Sequence, residues 1–243
     1  MKILLLDIET APAIAAVWSL RADYVPIERL IADPYTLCFA AKWLGERGMV
    51  FHAGWQGGHA RMVREAHKLL AEADAVCHYN GTKFDIPVLR WEFMAAHLGP
   101  PAPFKQIDLY RTMRTAAPIS RKLDFVSQRL GLGKKTKHKG MELWRACMDG
   151  DKAAHKVMER YNRQDVNLLE KLYGELLPWI PQHPNLAIES GHACPRCGSE
   201  KLQARGFLQS MTRRYRRWQC RDCGGWSQTV ASEPGGAKIK AAA

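Results

Sequence analysis

The chain has 243 residues, of which 47% are apolar and 25% charged, and its 36 Lys and Arg outnumber its 24 Asp and Glu to give a formal charge of +12. This composition excludes an intrinsically disordered chain, and no uncharged apolar stretch reaches the ~18 residues of a membrane-spanning helix. The positive charge predicts a polyanionic partner, with nucleic acid as the first candidate and an anionic membrane surface as the second.

In the first 180 residues, the spacing of the apolar residues predicts strands and helices. The apolar run Ile3–Leu6 is too short for a signal peptide, so a soluble cytoplasmic protein is expected. Strands first, then alternating strands and helices, predict an α/β fold with a mixed β-sheet flanked by helices. The predicted elements are a strand over 3–6, a hairpin with strands over 35–44 and 49–53, a helix over 61–73, a strand over 75–79, a helix over 86–98, and a long helix from an N-cap at Asp151 to Leu177.

Three prolines between residues 178 and 184 predict the end of the long helix and a domain boundary. Residues 181–243 carry 10 Lys and Arg against 4 Asp and Glu, so this short region holds half of the net charge. The expected organisation is a first domain over 1–177, a Pro-rich linker over 178–192, a small second domain over 193–231 and a flexible tail over 232–243.

Two acidic residues end the first predicted strand. Asp7 and Glu9 are two positions apart, so an extended chain places both carboxylates on the same face. Carboxylates this close repel each other unless a cation lies between them. The pair therefore indicates a metal site, with two solvated acids at the end of a strand as the alternative.

Two further segments contain acids that would join this pair. Asp85 opens the second predicted helix after a turn at Asn80-Gly81, and a plain helix N-cap is the alternative interpretation. Tyr161 and Asp165 are four residues apart on the longest predicted helix and therefore share a face of it. Alone, this last pair is a weak signal, since an aromatic residue and an acid at that spacing are common on amphipathic helices.

Taken in order, the segments LLLDIET (4–10), HYNGTKFD (78–85) and YNRQD (161–165) resemble the three motifs of the DEDD 3′–5′ exonucleases, whose fold is ribonuclease H-like. One branch of that family has a tyrosine four residues before the last aspartate, and Tyr161 occupies this position. The other branch has a histidine five residues before it, where this chain has Arg160. The chain therefore resembles the tyrosine (DEDDy) branch over residues 1–177, and most of all its phage-type, polymerase-associated proofreading members.

The resemblance implies a metal-dependent phosphodiester hydrolase. Tyr161 would orient or deprotonate the attacking water. The implied activity removes nucleotides from a 3′ end as 5′-monophosphates, with single-stranded DNA as the preferred substrate, in a bacterium or a phage-infected cell. The alternatives are a 3′–5′ exoribonuclease and a nucleic-acid-binding adaptor without turnover. Two Mg²⁺ or Mn²⁺ ions, hard cations that favour carboxylate oxygens, would be held by Asp7, Glu9, Asp85 and Asp165.

Basic side chains between the second and third motifs are candidate contacts to nucleic acid. The run between Gly133 and Gly140 is the densest in the first domain, and a solvated loop is the alternative to phosphate contact. Asn80 and Phe84 are candidate contacts to the terminal nucleotide, although Phe84 would also fit the core. The candidate phosphate contacts are Lys134, Lys135, Lys137 and Lys139.

The second domain contains two C-x2-C pairs separated by 22 residues. Each pair forms a tight knuckle, and two knuckles supply the four thiolates of a closed, structural Zn²⁺ site. The arrangement resembles a zinc ribbon, a small β-rich domain. A disulfide framework is the alternative, which the expected cytoplasmic location disfavours. The candidate zinc ligands are Cys194, Cys197, Cys220 and Cys223, whereas Cys38, Cys77 and Cys147 are expected to be buried thiols.

A strand over 213–219 is predicted to lead into the second knuckle. Its arginines alternate with Tyr215 and Trp218, which combines phosphate-binding cations with stacking surfaces and suits single-stranded nucleic acid. In the alternatives, the aromatic residues form the small core of the ribbon, or the ribbon binds a DNA polymerase or another replication protein. No membrane partner is expected. The candidate nucleic-acid contacts are Arg213, Arg214, Arg216 and Arg217.

Overall fold

The computed structural model describes residues 1–21, 23–237 and 239. The chain divides into two compact units, Met1–Tyr173 and Gly174–Ala243. In the described part of the chain, no helix combines the length and the apolar character needed to cross a membrane. The last residues of the predicted tail, 238 and 240–243, lie outside the described residues.

The first unit has a central sheet surrounded by helices, and the second contains a small sheet. The strands are β1 (Ile3–Thr10), β2 (Ile14–Ala15), β3 (Leu30–Ala32), β4 (Thr36–Trp43), β5 (Val50–Ala53), β6 (Ala75–His78), β7 (Lys105–Asp108), β8 (Leu202–Gln209), β9 (Arg214–Cys220) and β10 (Trp226–Gln228). The helices are α1 (His59–Glu72), α2 (Asp85–Ala95), α3 (Leu109–Ala116), α4 (Leu123–Arg129), α5 (Met141–Met148) and α6 (Lys152–Leu176), with short 3-10 helices at Ile27–Arg29 and Leu177–Trp179.

The central sheet has the strand order β5-β4-β1-β6-β7. β1 pairs antiparallel with β4 and parallel with β6, and β6 pairs parallel with β7. Because β1, β6 and β7 run in the same direction, their carboxyl ends meet at one edge of the sheet. This architecture confirms the predicted mixed sheet flanked by helices.

β1 sends alternate side chains to the two faces of this sheet. Its apolar residues Leu4, Leu6 and Ile8 belong to a buried cluster shared with α1 and α2. Asp7 and Glu9 therefore project from the opposite face. On that face α6 approaches β1, where the Asn162 side chain of α6 donates a hydrogen bond to Asp7.

α6 begins where the sequence predicts. The Asp151 carboxylate accepts hydrogen bonds from the backbone N–H groups of Ala153 at 2.7 Å and Ala154 at 3.3 Å, which confirms Asp151 as the N-terminal cap. The helix ends at Leu176, immediately before the Pro-rich segment, because proline at 178 lacks the N–H that a continuing helix needs.

The second unit is built on an antiparallel sheet of order β10-β9-β8. Part of the predicted flexible tail follows this sheet: Glu233 N–H donates to the Arg214 carbonyl at 2.9 Å, and Ala237 N–H donates to the Thr212 carbonyl at 2.9 Å. The difference arises because backbone groups near the β8–β9 hairpin hold residues whose own sequence has no periodic pattern.

Candidate metal centres and nucleic-acid surfaces

Three carboxylates from β1 and α6 form a cluster. Asp7, Glu9 and Asp165 each offer an oxygen atom, and these atoms all lie within 4.8 Å of one another. Asp165 is 1% exposed, so its charge has almost no access to water. The sequence alternation in β1 and the helical spacing of α6 together bring the three side chains to one point.

Asn162 fixes the orientation of this cluster, and sequence reasoning missed it. Its side-chain amide donates to Asp7 Oδ2 at 2.6 Å and to the Asp7 carbonyl oxygen at 3.2 Å. Asn162 is fully buried, and buried polar groups are retained where they have partners. The available signal was an amide next to Tyr161 in the third motif, three residues before Asp165 and therefore on the same side of the helix.

Asp85 lies beside the cluster but outside the group of three. It is the first residue of α2, and its Oδ1 accepts a hydrogen bond from the backbone N–H of Ile8 at 3.1 Å. Phe84, not Asp85, is the N-cap residue of α2, so the plain helix-cap interpretation is wrong. The carboxylate instead fastens α2 to the strand that carries Asp7 and Glu9.

Burial makes the ionised form of these acids costly. It raises the pKa of Glu9 to about 8, with a further contribution from the Asp165 charge, and it raises the pKa of Asp85 to about 7 although the Ile8 N–H opposes the shift. Burial also raises the pKa values of Asp7 and Asp165. Four acids whose pKa values are raised by burial need a nearby cation if all four are to be ionised together.

Tyr161 and Lys135 complete the site. The Lys135 ammonium donates to Asp165 Oδ2 at 2.5 Å and to the Tyr161 hydroxyl at 3.1 Å. Burial raises the pKa of Tyr161, so its phenol is neutral. The sequence placed Lys135 among the phosphate contacts, but in the structure its ammonium points into the carboxylates.

The other lysines of the run differ from Lys135. Lys134, Lys137 and Lys139 are exposed, and Lys139 forms an ion pair with Glu142 at 3.2 Å. Lys135 reaches the carboxylates because its backbone N–H donates to Asp124 Oδ1 at 2.8 Å, which ties the loop to α4. The position of the loop that carries Lys135 therefore depends on its hydrogen bond to Asp124, a residue 11 positions earlier in the chain.

The turn that leads to Asp85 is held by buried side chains. Asn80 adopts a left-handed backbone with φ of 67°, and its N–H donates to Asp108 Oδ1 at 2.8 Å. Gly81 N–H donates to His78 Nδ1 at 3.1 Å, and a Cβ at Gly81 would lie 2.5 Å from the His78 ring. Burial lowers the pKa of His78, so the ring is neutral and Nδ1 is an acceptor. The turn thus requires glycine, and it positions both Asn80 and Asp85.

A cleft of about 680 Å³ opens beside the cluster. Its volume lies in the range of small-ligand sites. The cleft is lined by Asp7, Lys135 and Asn80, by the rings of Tyr79 and Tyr110, and by the cationic residues Arg121 and Lys122.

Phe84 is 42% exposed at the start of α2, which excludes the core role that the sequence left open for it.

The donor set fits hard divalent cations. It consists of carboxylate oxygens without a thiolate or an imidazole, which Mg²⁺ and Mn²⁺ favour. Asp165 Oδ1 is buried and has no hydrogen-bond partner among the described residues, an arrangement that is costly without a ligand. The group Asp7, Glu9 and Asp165 is therefore compatible with a metal centre.

The four predicted cysteines of the second unit form a separate cluster. The Sγ atoms of Cys194 and Cys223 are 3.6 Å apart, as are those of Cys197 and Cys220. A tetrahedral Zn²⁺ site with bonds of ~2.3 Å separates its sulfurs by ~3.8 Å, whereas a disulfide requires ~2.05 Å. The spacing contradicts the disulfide alternative and is compatible with zinc.

The backbone of the two knuckles is arranged for metal binding by these cysteines. Gly198 and Gly224, the residues directly after the second cysteine of each pair, both have φ of 75°, a conformation that favours glycine. Although burial opposes it, backbone N–H groups of Cys223 and Asp222 lower the pKa of Cys220 to about 7. The thiolate form of Cys220 is thus accessible at neutral pH, whereas burial raises the pKa values of the Cys197 and Cys223 thiols.

The arginines of β9 stack on aromatic rings of the same unit. The guanidinium groups of Arg214 and Arg216 lie 4.6 and 4.1 Å from the Phe207 ring centre, and that of Arg217 lies 5.5 Å from the Trp226 ring. Trp226 is exposed, so it does not form a closed ribbon core. Arg213 is exposed. The rings that these arginines contact are those of Phe207 and Trp226, whereas the sequence prediction paired the arginines with Tyr215 and Trp218, and binding of nucleic acid by this strand stays a prediction.

The comparisons with known proteins agree with this fold. Residues 50–177 match the family model described as the RNase_H superfamily, and the chain belongs to this superfamily. The matched range contains Asp85, Tyr161 and Asp165. It begins after β1, so Asp7 and Glu9 lie outside it. A search of curated proteins finds no match to the chain.

Among solved structures, the chain is similar to the family B DNA polymerase from the hyperthermophilic archaeon Pyrobaculum calidifontis. The two have 22% identical residues and a TM-score of 0.56, over 73% of this chain and 24% of the polymerase chain. This likeness establishes a shared fold over about a quarter of the polymerase. The superfamily and the carboxylate cluster together support a nuclease function with divalent metal ions.

Proposed function

We propose that the protein is a two-metal-ion 3′–5′ exonuclease that releases 5′-mononucleotides from single-stranded DNA. The observation that carries the proposal is the convergence of Asp7, Glu9 and Asp165 within 4.8 Å, with Tyr161 one helical turn before Asp165. The resemblance of the three motifs to the DEDDy exonucleases supports the polarity and the substrate.

The roles of the side chains follow from their positions. Asp7, Glu9 and Asp165, with Asp85 beside them, would hold two divalent cations, which stabilise charge on the attacking and leaving oxygens when bound. Asn162 holds Asp7 in place for this purpose. Tyr161 has a neutral phenol, so we assign it the orientation of the attacking water rather than its deprotonation.

Two surfaces, one in each unit, suit a nucleic-acid strand. The cleft combines tyrosine rings with Arg121 and Lys122, and the second unit presents arginines on aromatic rings around a proposed structural zinc site. Stacking and phosphate contacts of this kind do not depend on sequence and favour single strands. A DNA polymerase or another replication protein is the proposed protein partner, and a cytoplasmic location remains the proposal from the sequence.

One degradation assay tests the activity, its polarity and the preference for DNA or RNA. The protein is incubated with Mn²⁺ and four substrates, single-stranded and duplex DNA and RNA, each labelled at the 5′ or the 3′ end. We expect fastest degradation of single-stranded DNA, with immediate release of the 3′ label as a mononucleotide and progressive shortening of the 5′-labelled strand. The matched control is the same assay with EDTA.

The alternatives predict different results. Faster degradation of RNA would identify an exoribonuclease, and release of the 5′ label first would reverse the polarity. Binding of all substrates without degradation would identify an adaptor and overturn the proposed exonuclease.

Replacing Tyr161 by Phe is expected to slow degradation by about a hundredfold or more, because the hydroxyl that orients water is removed. The metal ligands are unchanged, so the affinity for Mn²⁺ measured by calorimetry stays close to that of the wild type. Tyr24→Phe, which removes an exposed phenol hydroxyl from the same unit, serves as the control. A wild-type rate for Tyr161→Phe would reduce Tyr161 to a packing role.

A further inference from the structure

Lys135 places a positive charge inside the proposed metal centre. Its ammonium lies 2.5 Å from Asp165 Oδ2 and 3.1 Å from the Tyr161 hydroxyl, and it also lies 5.1 Å from the centre of the Tyr161 ring. The side chain is 29% exposed, whereas that of Asp165 is 1% exposed. The lysine therefore closes the solvent side of a buried carboxylate.

Lys135 is held in this position by its backbone as well as by its ammonium. Its N–H donates to Asp124 Oδ1 at 2.8 Å, and Asp124 Oδ2 accepts from the Gln128 side chain at 2.8 Å. Gly133 has φ of 128°, and a Cβ there would lie 3.3 Å from Leu168 of α6. The loop backbone is thus bound to α4 and packed against α6, so the ammonium can change position by rotation about the side-chain bonds of Lys135 without movement of the loop.

The Lys135 ammonium and a divalent cation would both bind the carboxylate of Asp165. Asp165 Oδ1 has no partner among the described residues, so it is available to a metal. A cation bound there would lie within a few ångströms of the Lys135 ammonium, and like charges at that distance repel strongly in a buried site. Lys135 balances the carboxylates only while no metal does.

We propose that Lys135 is an internal counter-ion that the metal must displace, so that metal loading frees the Lys135 side chain from Asp165. This proposal rests on the proposed metal centre but not on nuclease activity. When displaced, the ammonium stays on the anchored loop and joins Lys134, Lys137 and Lys139, which already face solvent. Metal loading thereby adds one positive charge to the surface on which a polyanion would bind.

Calorimetric titration with Mn²⁺ tests this coupling on the full, zinc-loaded chain. Lys135→Met keeps the length of the stem and removes the competing charge, so Mn²⁺ is expected to bind about fivefold or more tightly than to the wild type. Lys137→Met removes the same charge from an exposed position of the same loop and is expected to change the affinity much less.

Equal Mn²⁺ affinity of Lys135→Met and wild type overturns the displacement, as does an equal gain in Lys137→Met, because the effect is then one of general charge. Failure of every variant, including the wild type, to bind Mn²⁺ overturns the metal centre and the proposed function with it. Mn²⁺ binding with the expected difference but without DNA degradation supports the displacement and overturns only the exonuclease.

A second measurement uses the wild-type protein alone and therefore does not depend on the folding of a variant. Amine acetylation with an N-hydroxysuccinimide ester, followed by mass spectrometry, compares Lys135 with Lys137. Without metal, the ion pair with Asp165 protects Lys135, and Mn²⁺ is expected to raise its labelling relative to Lys137 by about fivefold or more. An unchanged ratio at saturating Mn²⁺ shows that Lys135 stays in place and overturns the proposal.

Discussion

Replacing Asp165 by Asn is expected to lower the rate of metal-dependent strand degradation by about a thousandfold or more. Asp165 is the buried member of the carboxylate cluster and the partner of Lys135, and asparagine supplies one neutral oxygen where a metal needs a charged ligand. The measurement is the rate of release of a 3′-terminal nucleotide from single-stranded DNA in Mn²⁺.

The fold is expected to survive this substitution, since asparagine has the same shape and no longer carries a charge that is costly to bury. Circular dichroism and thermal unfolding check this point. Glu175→Gln, an exposed change on the same helix, is the matched control and keeps the wild-type rate. Undiminished degradation by Asp165→Asn would remove the cluster from the catalytic site.

Replacing Cys220 by Ser is expected to release zinc from the second unit, with the zinc content measured by atomic absorption falling from one ion per chain to near zero. A structural Zn²⁺ site contributes on the order of 10 kcal/mol to the fold that contains it. Cys220 belongs to β9 and is buried, so its loss affects the strand that carries the arginines. Affinity for single-stranded DNA at matched salt is therefore expected to fall by about tenfold or more.

Cys147→Ser is the control for this experiment, because Cys147 lies in α5 of the first unit and burial raises the pKa of its thiol to about 11. Its zinc content should equal that of the wild type. Retention of zinc by Cys220→Ser would contradict the four-cysteine site. Loss of zinc with unchanged DNA affinity would instead assign the second unit to a protein partner.

The elements that carry the carboxylates follow from the sequence because each has a strong periodic signal. Four apolar residues before Asp7 identify β1, and the apolar spacing after Asp151 identifies α6 over its whole length. Asp7, Glu9 and Asp165 come together because β1 is central in the sheet and α6 crosses one of its faces. The zinc-type spacing of the cysteines is equally local and is matched by the sulfur distances.

Other features depend on contacts that no local pattern encodes. α3, α4 and α5 have only seven or eight residues each, too few for a clear helical period. The orientation of Lys135 depends on Asp124 of α4, and the role of Asn162 depends on the packing of α6 against β1. A lysine in a basic run and an asparagine in a helix give no sign of these roles by themselves.

The hydrogen bond between Asn162 and Asp7 joins residues that are 155 positions apart. During synthesis Asp7 leaves the ribosome long before Asn162 and Asp165, so the cluster is assembled only when nearly the whole first unit is available. Contacts of such long range form late because the intervening chain must be ordered first. A nascent chain therefore carries Asp7 and Glu9 well before it contains the residues that complete the carboxylate cluster.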